Sequence, residues 1–162
     1  MESSPQNQED QPITLERATP ADLETYLALE RSVSNPVTYP AATDAAEALD
    51  EMKKNHRNYF IKKDGQIVGN VTYEMKGDNH ASITGLMVVP HYQNQGIGRE
   101  ALKIVLDELK EIKRIDVATH PDNTNALALY QSLGFHTESK EENYWGDDGQ
   151  PRLILAKENW CG

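Results

Sequence analysis

Apolar and polar positions along this chain follow two rhythms. Short apolar runs or alternations, the period of a strand, occupy Ile13 to Ala18, Asn58 to Lys63, Ile67 to Lys76, Ala81 to Val89, Ile115 to Thr119, Phe135 to Tyr144 and Arg152 to Lys157. Helical spacings lie between them. Thr19-Pro20-Ala21-Asp22 reads as a helix start, with Thr19 as N-cap and Pro20 in the first turn, leading into Leu23, Tyr26, Leu27 and Leu29. Thr43 or Asp44 caps a second helix with Ala45, Ala46, Leu49 and Met52 inward. A third carries Ala101, Leu102, Ile104, Val105, Leu106 and Leu109, and a fourth carries Ala126, Leu129, Tyr130 and Leu133 on one face. The fourth starts at Asp122 or Asn123 and closes on Gly134, a left-handed C-cap. Asp64-Gly65 and Gly77-Asp78-Asn79 read as hairpin turns. The predicted order is β-α-α-β-β-β-α-β-α-β-β: one α/β domain over residues 13–162. The polar, Ser/Pro/Gln-rich residues 1–12 are expected to be a disordered tail.

The segment Val88-Val89-Pro90-His91-Tyr92-Gln93-Asn94-Gln95-Gly96-Ile97-Gly98-Arg99 changes the picture from fold to chemistry. An apolar strand stops at Pro90, which cannot donate to a ladder, and a glycine-bearing turn opens a helix. Backbone N–H groups then converge on one spot with the positive end of the helix dipole behind them, a phosphate-binding arrangement. A P-loop is excluded, because Gly-Lys-Ser/Thr occurs nowhere in the chain. A dinucleotide fingerprint tolerates Ala101 at its third glycine, but Asp116, at the spacing of its acidic partner, opens the next apolar run instead of closing it.

Gln93-x-x-Gly96-x-Gly98 resembles the pyrophosphate signature Q/R-x-x-G-x-G/A of the GNAT superfamily of acetyl-CoA-dependent N-acetyltransferases. Asn123, Ala126 and Tyr130 followed by Gly134-Phe135 resemble a second block of the same superfamily, in the right order and at about the right distance. The resemblance covers roughly Ile13 to Asn159 and implies the GNAT fold, an α/β fold with a mixed sheet in which the strands ending at Val89 and Thr119 are parallel neighbours that splay apart. It implies acetyl-CoA as cofactor, held by the backbone of Leu86, Met87 and Val88 along the pantetheine arm. The pyrophosphate would lie on Gln93, Asn94, Gln95, Gly96, Ile97, Gly98 and Arg99, and Asn123 and Ala126 would sit beside the arm. Arg99 reads equally as a solvent-exposed helix arginine. Tyr130 would face the sulfur as the acid, or else be an ordinary core tyrosine.

The base is where the chain departs from family patterns. Relatives place a glutamate where this chain has Ser82, or on the next strand where it has Ala118, and neither residue accepts a proton. Glu74 on the third strand is the carboxylate offered in their place; on an alternating strand it reads also as a solvent-side residue. His120, past a strand end, has the chemistry of a base, with Pro121 pointing to a plain loop histidine instead. Glu30 precedes the proline-broken loop where related enzymes bind acceptors, and Leu29-Glu30-Arg31-Ser32 with Asn35-Pro36 resembles a stretch of ribosomal-protein alanine N-acetyltransferases. Tyr144 and Trp145 would floor an amine pocket or pack an edge strand.

Composition narrows the partners. With 162 residues and a formal net charge of −10, nucleic acid is disfavoured, since its backbone would be repelled. The lone cysteine, Cys161, provides no disulfide framework or cysteine-based metal cluster within the chain, and no His/Asp/Glu spacing resembles a metal site. No run reaches the length of a membrane span and Met1-Glu2-Ser3-Ser4-Pro5 is no secretory signal, so a cytoplasmic protein is expected. The expected reaction is direct transfer from acetyl-CoA to a small-molecule or peptide amine. A non-catalytic acyl-CoA-binding regulator of the same fold is the alternative, followed by a nucleotide-binding α/β domain. Many relatives dimerise, and a homodimer stays open.

Overall fold

Residues 13–33, 56–142 and 150–159 are described in the structure, a computed structural model. Their strands form a single mixed sheet. Strand β1 is Thr14–Arg17, β2 His56–Lys63, β3 Gln66–Gly77, β4 His80–Val88, β5 Arg114–Thr119, β6 His136–Glu141 and β7 Arg152–Glu158, in spatial order β1-β2-β3-β4-β5-β7-β6. All neighbours are antiparallel except β4 and β5. Helix α1 is Leu23–Val33, α2 Ile97–Glu108 and α3 Thr124–Ser132. The sequence-predicted helix after Thr43 lies outside the described residues, as do Tyr144 and Trp145. The strand expected from Phe135 begins at His136 and is described to Glu141.

Local chemistry accounts for the joints. Asp64 and Gly65 both have positive φ (53° and 80°), the pairing of a two-residue hairpin whose twist matches the strands it joins. Thr19 and Asp22 form a reciprocal capping box before α1. Asn123 caps α3 by accepting from the Ala126 N–H at 3.3 Å. Gly134, at φ 100°, lets the chain reverse so that the Phe135 N–H donates to the Tyr130 carbonyl.

The sheet has two covered faces. On one, Ile61, Val71, Tyr73, Ala81, Ile83, Ile115, Val117 and Leu155 pack with Ile97, Ala101, Leu102 and Val105 of α2 and Tyr130 of α3. On the other, Phe60 and Met87 meet Tyr26, Leu27 and Leu29 of α1. The hydroxyls of Tyr59 and Tyr73 both donate to the Glu108 carboxylate and tie the end of α2 to the sheet.

Two irregularities shape β4. Thr72 stands opposite Gly85 and Tyr73 opposite Ile83, so Thr84 is an extra residue, a bulge, with its hydroxyl 2.8 Å from that of Thr72. A bulge bends its strand and increases local twist. Pairing with β5 runs from His80↔Arg114 to Ile83↔Val117 and stops there, although β4 continues to Val88 and β5 to Thr119. The two strands therefore part at the bulge, as the sequence led us to expect. Second, β3 carries Gly69 opposite Val88, where a Cβ would come within 2.2 Å of the Met87 carbonyl oxygen.

Candidate active site

Beyond the bulge, the free side of β4 is defined by alternation. The Val89 N–H donates to the Val68 carbonyl at 2.9 Å, so the strand's residues at that parity bond to β3. Leu86 and Val88, one residue out of step, turn their N–H and C=O groups toward the gap between β4 and β5. In the gap the Val88 carbonyl accepts from the Gln93 side chain at 2.8 Å, which fastens the following loop to the strand end.

That loop is held by backbone geometry. Pro90–Tyr92 forms one 3-10 turn, and the Tyr92 hydroxyl donates to the Gln66 side-chain oxygen at 3.1 Å. Asn94 (φ 65°) and Gly96 (φ 79°) then adopt left-handed conformations that bring the chain round into α2. Gly96 is the N-cap and has no side chain with which to cap. The Glu100 N–H is satisfied by the Gly96 carbonyl at 3.0 Å. The N–H groups of Ile97, Gly98 and Arg99 have no acceptor among the described residues. Three unsatisfied donors at the positive end of a helix dipole favour an anion at this position.

A cavity of about 360 Å³ joins these features. Its walls include Leu86, Met87 and Val88 from β4, Gln93, Asn94, Gly96, Ile97 and Gly98 from the loop and helix start, and Asn123 and Ala126 from the start of α3. These ten expected cofactor residues are thus brought together, and Tyr92, Asn125 and Leu129 join them without having been anticipated. Tyr92 and Leu129 could have been found from helical or turn position next to named residues; Asn125 carries no such signal. Gln95 and Arg99 are exposed and outside the cavity wall, and the Arg99 guanidinium donates to the Ser132 hydroxyl at 2.5 Å.

Tyr130 is 4% exposed, its ring edge-on to Phe135 at 5.5 Å, and it is not among the residues that line the cavity. Its hydroxyl has no hydrogen-bond partner among the described residues. Burial alone pushes its pKa well above the usual phenol value, so it stays protonated and able to donate. Glu74 lies half-buried on the α1 face of β3, with His56 Nε2 at 3.6 Å and Lys76 Nζ at 3.5 Å. Glu30 lies in α1.

His120 is 4% exposed and structural. Its Nδ1 accepts from the Asp122 N–H at 3.0 Å, so Nε2 carries the proton and donates to the Gln150 side-chain oxygen at 3.0 Å. With both nitrogens engaged, it has no site left for substrate. Among the described residues no cluster of three or more His, Cys, Asp or Glu could hold a metal ion, and no helix is long and apolar enough to cross a membrane.

Comparison with known proteins agrees with this geometry. Residues 23–135 match the family model "Acetyltransferase (GNAT) family". Against "UPF0157 protein YqkA" of Bacillus subtilis the chain is 32% identical over 90 residues, 55% of this chain but only 26% of that relative. It is 28% identical over 156 residues to "N-alpha-acetyltransferase RimI" of Mycobacterium tuberculosis, covering 92% of this chain and 94% of the other. In fold it is similar to the crystal structure of the ribosomal-protein-S18-alanine N-acetyltransferase from Escherichia coli, with TM-score 0.78 and 22% identity over 93% of this chain and 96% of that one. A GNAT family acetyltransferase from Elizabethkingia anophelis, solved with acetyl-CoA bound, has TM-score 0.69 and 24% identity over 92% of this chain and 99% of its own. Strand gap, bare helix start and family model converge: the chain belongs to the acetyltransferase (GNAT) family.

Proposed function

We propose that this chain transfers the acetyl group of acetyl-CoA directly to the amine of a second substrate, and that the acceptor is the N-terminal amine of a peptide. One observation carries the first part. The open edge of β4 and the three unsatisfied N–H groups at the start of α2 border one cavity. The donor set fits that group: Leu86 and Val88 offer backbone donors and acceptors for an added pseudo-strand, and Ile97, Gly98 and Arg99 offer N–H groups for the diphosphate.

Acetyl-CoA, when bound, supplies a thioester whose carbonyl carbon is electrophilic and whose sulfur can leave. The Val88 N–H, turned into the gap, is the donor assigned to the oxygen that gains charge during attack. Tyr130 is assigned to the sulfur. A thiol ionises near pH 8.5, below a phenol whose pKa burial has raised, so hydrogen bonding to the sulfur is favoured over complete proton loss from Tyr130. Gln93 holds the loop to the strand end, and Arg99 would leave Ser132 to reach a phosphate. The acceptor assignment rests on the full-length similarity to an N-alpha-acetyltransferase. Glu30, Tyr144 and Trp145 are assigned to the acceptor side.

The test has two stages. Thermal shift with acetyl-CoA, NAD and ATP should show stabilisation by acetyl-CoA alone. Thiol release should then be followed with an alanine-initiated peptide, spermidine and free lysine as acceptors. Turnover fastest with the peptide is expected. Turnover with spermidine alone would overturn the acceptor, and stabilisation by NAD or ATP instead would overturn the cofactor.

A further inference from the structure

Coenzyme A carries three phosphates, and only two of them belong to the diphosphate that the start of α2 suits. The third is a monoester on the adenosine ribose, at the end remote from the thiol. The described walls of the cavity hold no charged side chain. Beside apolar groups and glycines they present Tyr92, Gln93, Asn94, Asn123 and Asn125. Inside the cavity, negative charge is therefore met by backbone N–H groups and neutral side chains, and a cation for the third phosphate comes from outside the wall.

Arg99 is placed for that. It follows Gly98 in the first turn of α2, and a Cβ on Gly98 would meet Leu129 of α3 at 3.8 Å, so the two helices converge beside it. The Arg99 Nη1 donates to Ser132 Oγ at 2.5 Å, and Ser132 Oγ in turn donates to the Leu129 carbonyl at 2.7 Å. Leu129 is itself part of the cavity wall, and Ser132 lies about one helical turn farther along α3. The guanidinium thus rests just outside the cavity, where α2 and α3 meet.

Its resting partner is unusual for this chain. The formal net charge is −10, and other described cations have found carboxylates: Lys62 on Glu16, Lys76 on Glu74 and Arg114 on Glu138. Glu100, next to Arg99 in sequence, turns to Lys103 instead. Lys110 and Lys113 lie beyond the other end of α2. Arg99 is exposed and has only a neutral hydroxyl as partner among the described residues. One of its five N–H donors is used, and no carboxylate competes for the rest. A neutral hydroxyl is readily exchanged for a phosphate, because hydrogen bonds between two charged groups are the stronger kind.

We propose, resting on the acetyl-CoA reading above, that Arg99 recognises the ribose 3′-phosphate of coenzyme A, and that Ser132 holds the guanidinium beside the cavity until the cofactor arrives. The diphosphate needs no side chain from this residue, since the N–H groups of Ile97, Gly98 and Arg99 itself face it. The monoester carries a charge close to −2 at neutral pH and has no donor assigned inside the cavity. It is the phosphate that Arg99 leaves Ser132 to reach.

The experiment compares coenzyme A with 3′-dephospho-coenzyme A, which differ in that one group. Both are titrated calorimetrically against wild type, Arg99→Gln and Ser132→Glu, at low and high salt, with a melting curve on each variant. Both positions are exposed, so the fold should be kept. Wild type should bind coenzyme A about tenfold more tightly than the dephospho form, and the ratio should narrow at high salt, as for an exposed charge pair. Glutamine keeps the backbone N–H of position 99 but not the cation. Arg99→Gln should therefore bind the two ligands equally, with its affinity for the dephospho form unchanged. Ser132→Glu retains the guanidinium but gives it a carboxylate, and should also bring the ratio close to one. Equal affinity of wild type for the two ligands, or a preference that survives in Arg99→Gln, would overturn the assignment and leave the acetyl-CoA reading standing. So would an equal loss of affinity for both ligands in Arg99→Gln, which would put the guanidinium on the diphosphate. Wild type that binds neither ligand would overturn both.

Discussion

Replacing Gly98 by aspartate should raise stability and abolish cofactor binding together, a combination that few substitutions produce. Gly98 lies in the first turn of α2, and a Cβ there meets only Leu129 Cδ2 and Leu86 Cδ2 at 3.8 Å and Val88 Cγ2 at 3.9 Å, ordinary contacts. The fold therefore has room for the side chain. Removing a helical glycine and adding a negative charge beside the positive end of the dipole together gain about 1 kcal/mol. For a domain of this size that raises Tm by about 2–4 °C. The same carboxylate about 4 Å from a diphosphate costs about 4 kcal/mol per unit charge at an effective dielectric constant near 20, roughly a thousandfold in Kd. Gly98→Ala isolates the steric part and should bind within about tenfold of wild type. Calorimetric titration with acetyl-CoA and a melting curve on each variant decide the matter. Wild-type affinity in Gly98→Asp would refute the assignment of the diphosphate to this helix start.

Other outcomes follow from the same geometry. Tyr130→Phe should keep stability within about 1 kcal/mol, because the deleted hydroxyl has no partner among the described residues, while kcat falls about 100-fold at unchanged acetyl-CoA affinity; equal turnover would remove it from the reaction. Burial raises the pKa of Tyr130, and burial followed by Glu108 raises those of Tyr73 and Tyr59. A folded-state pKa above the unfolded value gives stability that is present below about pH 10 and lost as pH rises beyond it. Urea melts between pH 8 and 11 should show that loss, reduced in Tyr130→Phe by about 1.4 kcal/mol per pH unit above 10. Gly96→Ala should cost about 1 kcal/mol from its left-handed backbone alone, since a Cβ there meets nothing within 4 Å. A Tm equal to wild type would mean that the loop relaxes.

The turn from β4 into α2 is legible in the sequence because its determinants are local. Pro90 ends a strand, Gly96 permits a positive φ, and the apolar spacing after Ile97 specifies a helix whose first donors are exposed. The cap at Asn123 and the reversal at Gly134 are of the same kind. What could not be read was long-range register. Nothing between Ser82 and Asp116 announces that these residues stand opposite one another 34 positions apart. In the sequence Asp116 therefore reads as the polar start of an apolar strand, and Glu74 and His120 are the groups offered where Ser82 and Ala118 cannot accept a proton. The bulge at Thr84 escaped for a related reason, since an extra residue in one strand is defined only against its partner. The Arg99 contact with Ser132 likewise joins two helices whose packing no local pattern fixes.

Gly69 gives this arrangement an unexpected point of control. It sits on β3, the side of β4 remote from the ligand cavity, at the one place where any larger residue would press its Cβ into the Met87 carbonyl. Because backbone rather than a pliable side chain stands in the way, a methyl group there would force β3 and β4 apart or distort one of them. The position of the cavity's β4 wall is thus tied to a missing side chain on the strand behind it, at a residue that does not itself line the cavity.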